Sequence, residues 1–146
     1  IGRYDDEQVT LRPINCWKSC KGKLLFKNIK IDLSDLNGGS NAGYFINNAG
    51  VISKGDFTDI CIDNCLIANV LKPIYYDAAQ KTYFGIDNIS VQDTRIEVNA
   101  IKIALINIYK GFNLGDYKTF NFKNNIVYSQ TPQGTRRRAN IKLGYW

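Results

Sequence analysis

The sequence has no histidine and no methionine, and only three prolines in 146 residues. Without histidine, imidazole acid-base catalysis and Ser-His-Asp or Cys-His nucleophilic chemistry are excluded. No GxSxG turn and no Gly-rich phosphate loop occurs. No apolar run approaches the ~20 residues that a membrane-crossing helix needs, so no membrane span is expected. The opening IGRYDDEQVT is charged and lacks the apolar stretch of a secretory signal. With no initiator Met, the chain reads as a processed product or a fragment, in which any export signal would already be gone.

What is present points to a folded chain. Apolar residues make up 45% and aromatics 12%, enough for a core and too many for a disordered segment. The length fits one domain over residues 1–146. The net charge of +6 and pI near 9.1 favour polyanions such as acidic polysaccharide, nucleic acid or anionic lipid, although a charge of this size also serves solubility. The basic residues are dispersed except for Arg136-Arg137-Arg138. That triplet lies in a Gln/Gly/Thr-rich stretch and reads as a tail or loop, so no nucleic-acid partner is expected.

The four cysteines fall in two pairs of equal spacing, Cys16/Cys20 and Cys61/Cys65. Structural zinc sites favour tighter hooks than CxxxC, and no histidine is present to help. Disulfides in an exported chain and free thiols both remain open.

Internal repetition sets the expected fold. Four segments share the pattern apolar-x-x-apolar-x-apolar-x-x-polar-x-apolar. They are Phe26, Ile29, Ile31, Ser34, Leu36; Phe57, Ile60, Ile62, Cys65, Ile67; Ile86, Ile89, Val91, Thr94, Ile96; and Tyr117, Phe120, Phe122, Asn125, Val127. Ile29, Ile60, Ile89 and Phe120 follow one another at 31, 29 and 31 residues. A second apolar triplet follows each of the first three, with Ile46, Tyr76 and Ile106 thirty residues apart. Ile141-Lys142-Leu143 continues this series, and Val9 to Ile14 closes an earlier coil.

Period-two alternation such as Ile60-Cys61-Ile62 marks half-buried strands, and Gly/Asn clusters fill the connections. The expectation is an all-β right-handed parallel β-helix. It is a solenoid of four to five coils of about 30 residues, near 24–53, 54–83, 84–113 and 114–146, with like positions ~4.8 Å apart. Ser34, Cys65, Thr94 and Asn125 then form a column of small groups that bond to backbone at a bend. Ile62 lies between Ile31 and Val91. The alternative fold is a leucine-rich repeat, whose template is nearly the same. It lacks support in the short β-like runs, rich in Gly, Pro and Asn, that fill the intervals.

The segments LLFKNIKIDLSD, NAGYFINN, FTDICIDNCLIANVLKPIYYD and FNFKNNIVYS resemble the pectate-lyase-like parallel β-helices, in particular exported members from polysaccharide-degrading gut Bacteroidetes. The resemblance covers residues 24–129. It implies a secreted, periplasmic or cell-surface protein in contact with glycans. Such proteins are usually longer, so missing N-terminal coils or a partner chain are expected over the solenoid end. Fold alone does not give chemistry.

Carboxylate chemistry is the catalytic option left. In the expected register Lys30, Asp32, Cys61, Asp63, Ser90, Gln92, Asn121 and Lys123 share an outward face. Asp32 stacks on Asp63 as the best catalytic or Ca²⁺ candidate, with Arg95 nearby; no other cofactor is implied. The acidic column breaks at Gln92 and Lys123. A glycan-binding site asks for less, namely aromatic faces with polar tips. Tyr75 and Tyr76 beside Lys72, with Lys30 and Lys123, are the candidates. Three functions follow: a non-catalytic carbohydrate-binding or accessory domain, a polysaccharide lyase or hydrolase with part of its site elsewhere, and a structural or adhesive solenoid.

Overall fold

A computed structural model describes residues 9–13, 23–38, 44–47, 59–77, 88–100, 102–108, 119–129 and 138–143. The described strands are β1 (Thr10–Leu11), β2 (Lys23–Lys27), β3 (Lys30–Asp32), β4 (Ile46–Asn47), β5 (Asp59–Asp63), β6 (Leu66–Val70), β7 (Tyr75–Asp77), β8 (Asn88–Gln92), β9 (Arg95–Val98), β10 (Lys102–Ile108), β11 (Thr119–Lys123), β12 (Ile126–Tyr128) and β13 (Arg138–Leu143). One short helix, α1 (Ser34–Gly38), follows β3. No helix among the described residues is long and apolar enough to cross a membrane.

All strand pairing is parallel, in three sheets ordered β2-β5-β8-β11, β1-β3-β6-β9-β12 and β4-β7-β10-β13. The chain visits the three sheets in rotation and adds one strand to each per circuit. Alternation within β2, β5 and β8 buries every second residue. The inward set, including Phe26, Ile62, Val91, Ile31, Ile67, Ile96, Ile46, Tyr75 and Ile106, forms a single apolar cluster. Phe26 and Phe45 meet across it, with ring centroids 5.2 Å apart.

The register corrects the expected first repeat. Leu24, not Ile29, pairs with Ile60, while Ile60 pairs with Ile89 and Ile89 with Phe120. The first step is therefore 36 residues, followed by 29 and 31. The difference lies in one bend. From Ile31 to Ile46 is 15 residues, whereas from Ile67 to Tyr75 is 8 and from Ile96 to Ile106 is 10. The first of these bends holds α1. The later connection is constant: Ile46 to Asp59, Tyr75 to Asn88 and Ile106 to Thr119 each span 13 residues.

The bend between the first and second strands of each circuit is the most regular feature. Asn28, Asn64, Asp93 and Asn124 all have left-handed backbone, with φ of 57°, 49°, 50° and 53°. Asn and Asp tolerate this region better than other side-chain-bearing residues. Hydrogen bonds between circuits continue through the bend: Asn28 N to Asp63 O (3.2 Å), Asn64 N to Gln92 O (3.1 Å), and Asp93 N to Lys123 O (3.2 Å). Beyond it, Leu66 N donates to Ile29 O at 3.1 Å and Arg95 N to Cys65 O at 2.9 Å.

The expected small-group column exists, with one change of member. Cys65, Thr94 and Asn125 occupy it, but Ile29 takes the first place and Ser34 lies at the start of α1. Thr94 accepts from Cys65 N (3.3 Å) and donates to Gln92 O (2.8 Å). Asn125 accepts from Thr94 N at 3.0 Å and donates to Val91 O at 2.9 Å. Cys65 Sγ lies against Asp63 O and Phe26 O at 3.2 and 3.5 Å. Burial raises its thiol pKa, so the residue is a small packed group.

Two substitutions test this packing. Ile62 is buried between Phe26 and Val91, not Ile31. Ile62→Ala should lower stability by ~2–5 kcal/mol in chemical denaturation, by loss of contacts and creation of a cavity. Asn64→Ala should cost about 1–2 kcal/mol because alanine resists left-handed backbone, and Asn64→Gly should cost less. Equal losses for Ala and Gly would place the effect in the side chain.

Candidate functional site

The expected Asp32–Asp63 pair does not form, because the first circuit is displaced by five positions. Asp63 lies on β5 between Lys27 and Gln92. Asp32 lies on β3 beside Ala68, in a different sheet. Arg95 pairs with Leu66 and Ile126 on the Asp32 sheet, and its guanidinium carbon sits 5.5 Å over the Tyr128 ring. No group of three His, Cys, Asp or Glu side chains capable of holding a metal occurs among the described residues.

Each aspartate instead has its own partners. Asp63 forms a 3.0 Å ion pair with Lys27 and accepts from Gln92 Nε2 at 3.2 Å. These contacts, Lys27 foremost, hold its pKa below the ordinary carboxylate value. Asp32 is buried, which by itself would raise its pKa. Donation from Asn69 Nδ2 (2.8 Å) and Ser34 N (3.1 Å), with Arg12 Nε at 3.6 Å, outweighs burial and leaves it lowered. Asn69 accepts in turn from Asn99 Nδ2 at 3.1 Å. Asp32 therefore caps the turn into α1 and ends a polar chain along the bends. Neither carboxyl is held protonated at neutral pH, as a general acid needs to be.

The outer face of β2-β5-β8-β11 carries three columns: Lys23-Asp59-Asn88-Thr119, Leu25-Cys61-Ser90-Asn121 and Lys27-Asp63-Gln92-Lys123. Cys61, Asp63, Ser90, Gln92, Asn121 and Lys123 share this face as expected, whereas Lys30 and Asp32 belong to the neighbouring sheet. The face is bonded within itself. Lys23 pairs with Asp59 at 3.0 Å, Asn88 donates to Asp59, and Asn121 donates to Ser90 and Gln92 at 3.2 and 3.4 Å. Cys61 is a free thiol at its centre. Burial and the adjacent Asp63 raise its pKa, which disfavours the reactive thiolate. Cys16 and Cys20 lie outside the described residues.

The aromatic candidates divide. The register is Ile46-Tyr75-Ile106, not Ile46-Tyr76-Ile106. Adjacent positions of a regular strand point to opposite faces, yet two adjacent columns are both buried here: Phe45, Ile74 and Leu105, then Ile46, Tyr75 and Ile106. Tyr75 is 1% exposed and belongs to the core, so it leaves the ligand-binding set. Tyr76 is half-buried and stacks on Tyr44, with centroids 3.9 Å apart and planes 11° from parallel. The exposed Lys72 places Nζ 5.8 Å from the centre of the Tyr44 ring. Tyr44 is the member that sequence spacing missed, because its ring meets a side chain from the next circuit. Lys30 and Lys123 lie on the other two sheets, so the five candidates do not share one lateral face.

The lowered carboxyl pKa values determine a pH response. Stability from Asp32 and Asp63 is complete above the unfolded value of about 4 and is lost as pH falls through the folded values. Urea stability should hold from pH 7 to about 5 and decline below about pH 4. Asp32→Asn should be less stable at pH 7 and have a shallower acid limb; an unchanged limb would remove Asp32 as a source of it. Comparison with protein-family models, curated proteins and solved structures finds no match to this chain.

Proposed function

We propose that the protein is an exported, pectate-lyase-like parallel β-helix domain that binds an acidic polysaccharide without cleaving it. The observation that carries this reading is the Tyr44–Tyr76 stack with Lys72 beside it. Aromatic faces pack on the apolar faces of sugar rings, and a neighbouring ammonium favours a carboxylated sugar over a neutral one. The net charge of +6 adds a favourable long-range field for a polyanion. The rotation of the chain through three parallel sheets supports the solenoid reading. The separation of Asp32 from Asp63, each with its own cationic partner, supports binding over lyase or hydrolase chemistry.

Isothermal titration with polygalacturonate and with a neutral glucan at two salt concentrations tests the reading. Polygalacturonate should bind more tightly, and more weakly as salt shortens the Debye length to about 8 Å or less. Tyr76→Ala should lower affinity roughly two- to tenfold through loss of ring contact. Lys72→Ala should reduce the preference for the charged polymer. Equal or absent binding to both polymers would refute the proposal, and release of unsaturated or reducing ends would replace binding with catalysis.

A further inference from the structure

The outer face of β1-β3-β6-β9-β12 carries a cationic column that belongs neither to the polar grid nor to the tyrosine cluster. Lys30 pairs with Leu66, and Leu66 with Arg95. These three positions alternate with the buried Ile31, Ile67 and Ile96, so they share the outward side. β3 is paired on both sides, by β1 and β6, and β9 by β6 and β12. The exposure of Arg95 is therefore that of a lateral face and not of a strand edge. Other cations are neutralised: Arg12, Lys23 and Lys27 each face an aspartate. Among the described residues, Lys30 and Arg95 form no ion pair.

Arg95 is also held in place. Its guanidinium carbon lies 5.5 Å over the Tyr128 ring. Stacking uses the flat face of a guanidinium and leaves its in-plane N–H donors available, in the fork that matches a carboxylate. It also lowers the rotamer entropy that an exposed arginine would otherwise lose on binding. Glu97 lies two residues along the same strand, beside Tyr128, and disfavours an anion on that side. The favourable approach is across the half-buried Leu66, between Arg95 and Lys30. The two cations stand two strand spacings apart, ~9.6 Å at the backbone, with Leu66 as an apolar floor for a sugar ring. A polyuronate carries a carboxylate on every sugar, so one strand supplies partners for both. We propose that Lys30, Leu66 and Arg95 form a second site for an acidic polysaccharide, on a different sheet from the tyrosine cluster. This inference rests on the reading of the protein as a binder of such polymers. With sites on two sheets, one chain holds two polymer strands at once.

The double variant Lys72→Ala/Tyr76→Ala removes the tyrosine cluster and isolates the second site. Calorimetric titration of this variant with a short oligogalacturonate should still show binding, and a neutral glucan oligomer should show less. Adding Arg95→Ala should weaken the remaining binding roughly two- to fivefold, the range of one exposed charge contact. Adding Lys30→Ala, on a different strand, should weaken the same binding. Arg95→Lys, which keeps the charge but not the planar fork, should recover only part of it. Thermal melts of all variants check that the fold is intact. Loss of all binding in the double variant, or residual binding that neither Arg95→Ala nor Lys30→Ala changes, would overturn the second site and leave the tyrosine site standing. If the double variant binds as well as the unmodified chain while Arg95→Ala lowers affinity, the tyrosine site falls and this one stands.

Discussion

Everything in this architecture depends on a two-residue bend that turns the chain without breaking its hydrogen bonding between circuits. Asn28, Asn64, Asp93 and Asn124 supply the left-handed residue, and the residue after each supplies a carbonyl or a packed side chain. Backbone N–H groups on both sides of the bend still find carbonyls on the adjacent circuit. A buried corner would otherwise leave polar backbone groups unpaired, at a cost of about 1–3 kcal/mol each. Because the bend is the same in all four circuits, the strands on either side keep one register next to it, and the pairing of β6 with β9 shifts only farther on, between Ile67 and Val70.

That constancy leaves other parts of the circuit free to vary. The bend after the second strand ranges from a short connection to one that holds α1. Asp32 opens this longer bend by accepting from Ser34 N and Asn69 Nδ2. The two aspartates that look like a catalytic pair in the sequence therefore serve two separate structural tasks. One caps a turn, and the other neutralises Lys27 in an outward column.

The distribution of polar groups sets the polar grid apart from the tyrosine cluster. On β2-β5-β8-β11 the amides, carboxylates and ammonium groups bond to neighbours one strand away, which ties that sheet together laterally. The Tyr44–Tyr76 stack instead combines ring surface with a nearby cation.

The sequence by itself determined the period-two burial, the all-β parallel character and the bend column at Cys65, Thr94 and Asn125, because each follows from local alternation repeated at a fixed distance. It also contained the Asn28-Asn64-Asp93-Asn124 series, which would have set the first step correctly. The first circuit is ambiguous in the sequence because Phe26, Ile29, Ile31 and Leu36 fit the apolar pattern in one frame and Leu24, Phe26 and Ile31 fit it five residues earlier, where Ile29 takes the place of a polar group. Only the tertiary structure decided between those frames, since rung pairing is a contact between residues about thirty apart. It also placed Tyr75 inside and brought Tyr44 to Tyr76. At that corner two successive side chains turn inward, and neither alternation nor spacing within one circuit encodes where a ring from the next will lie.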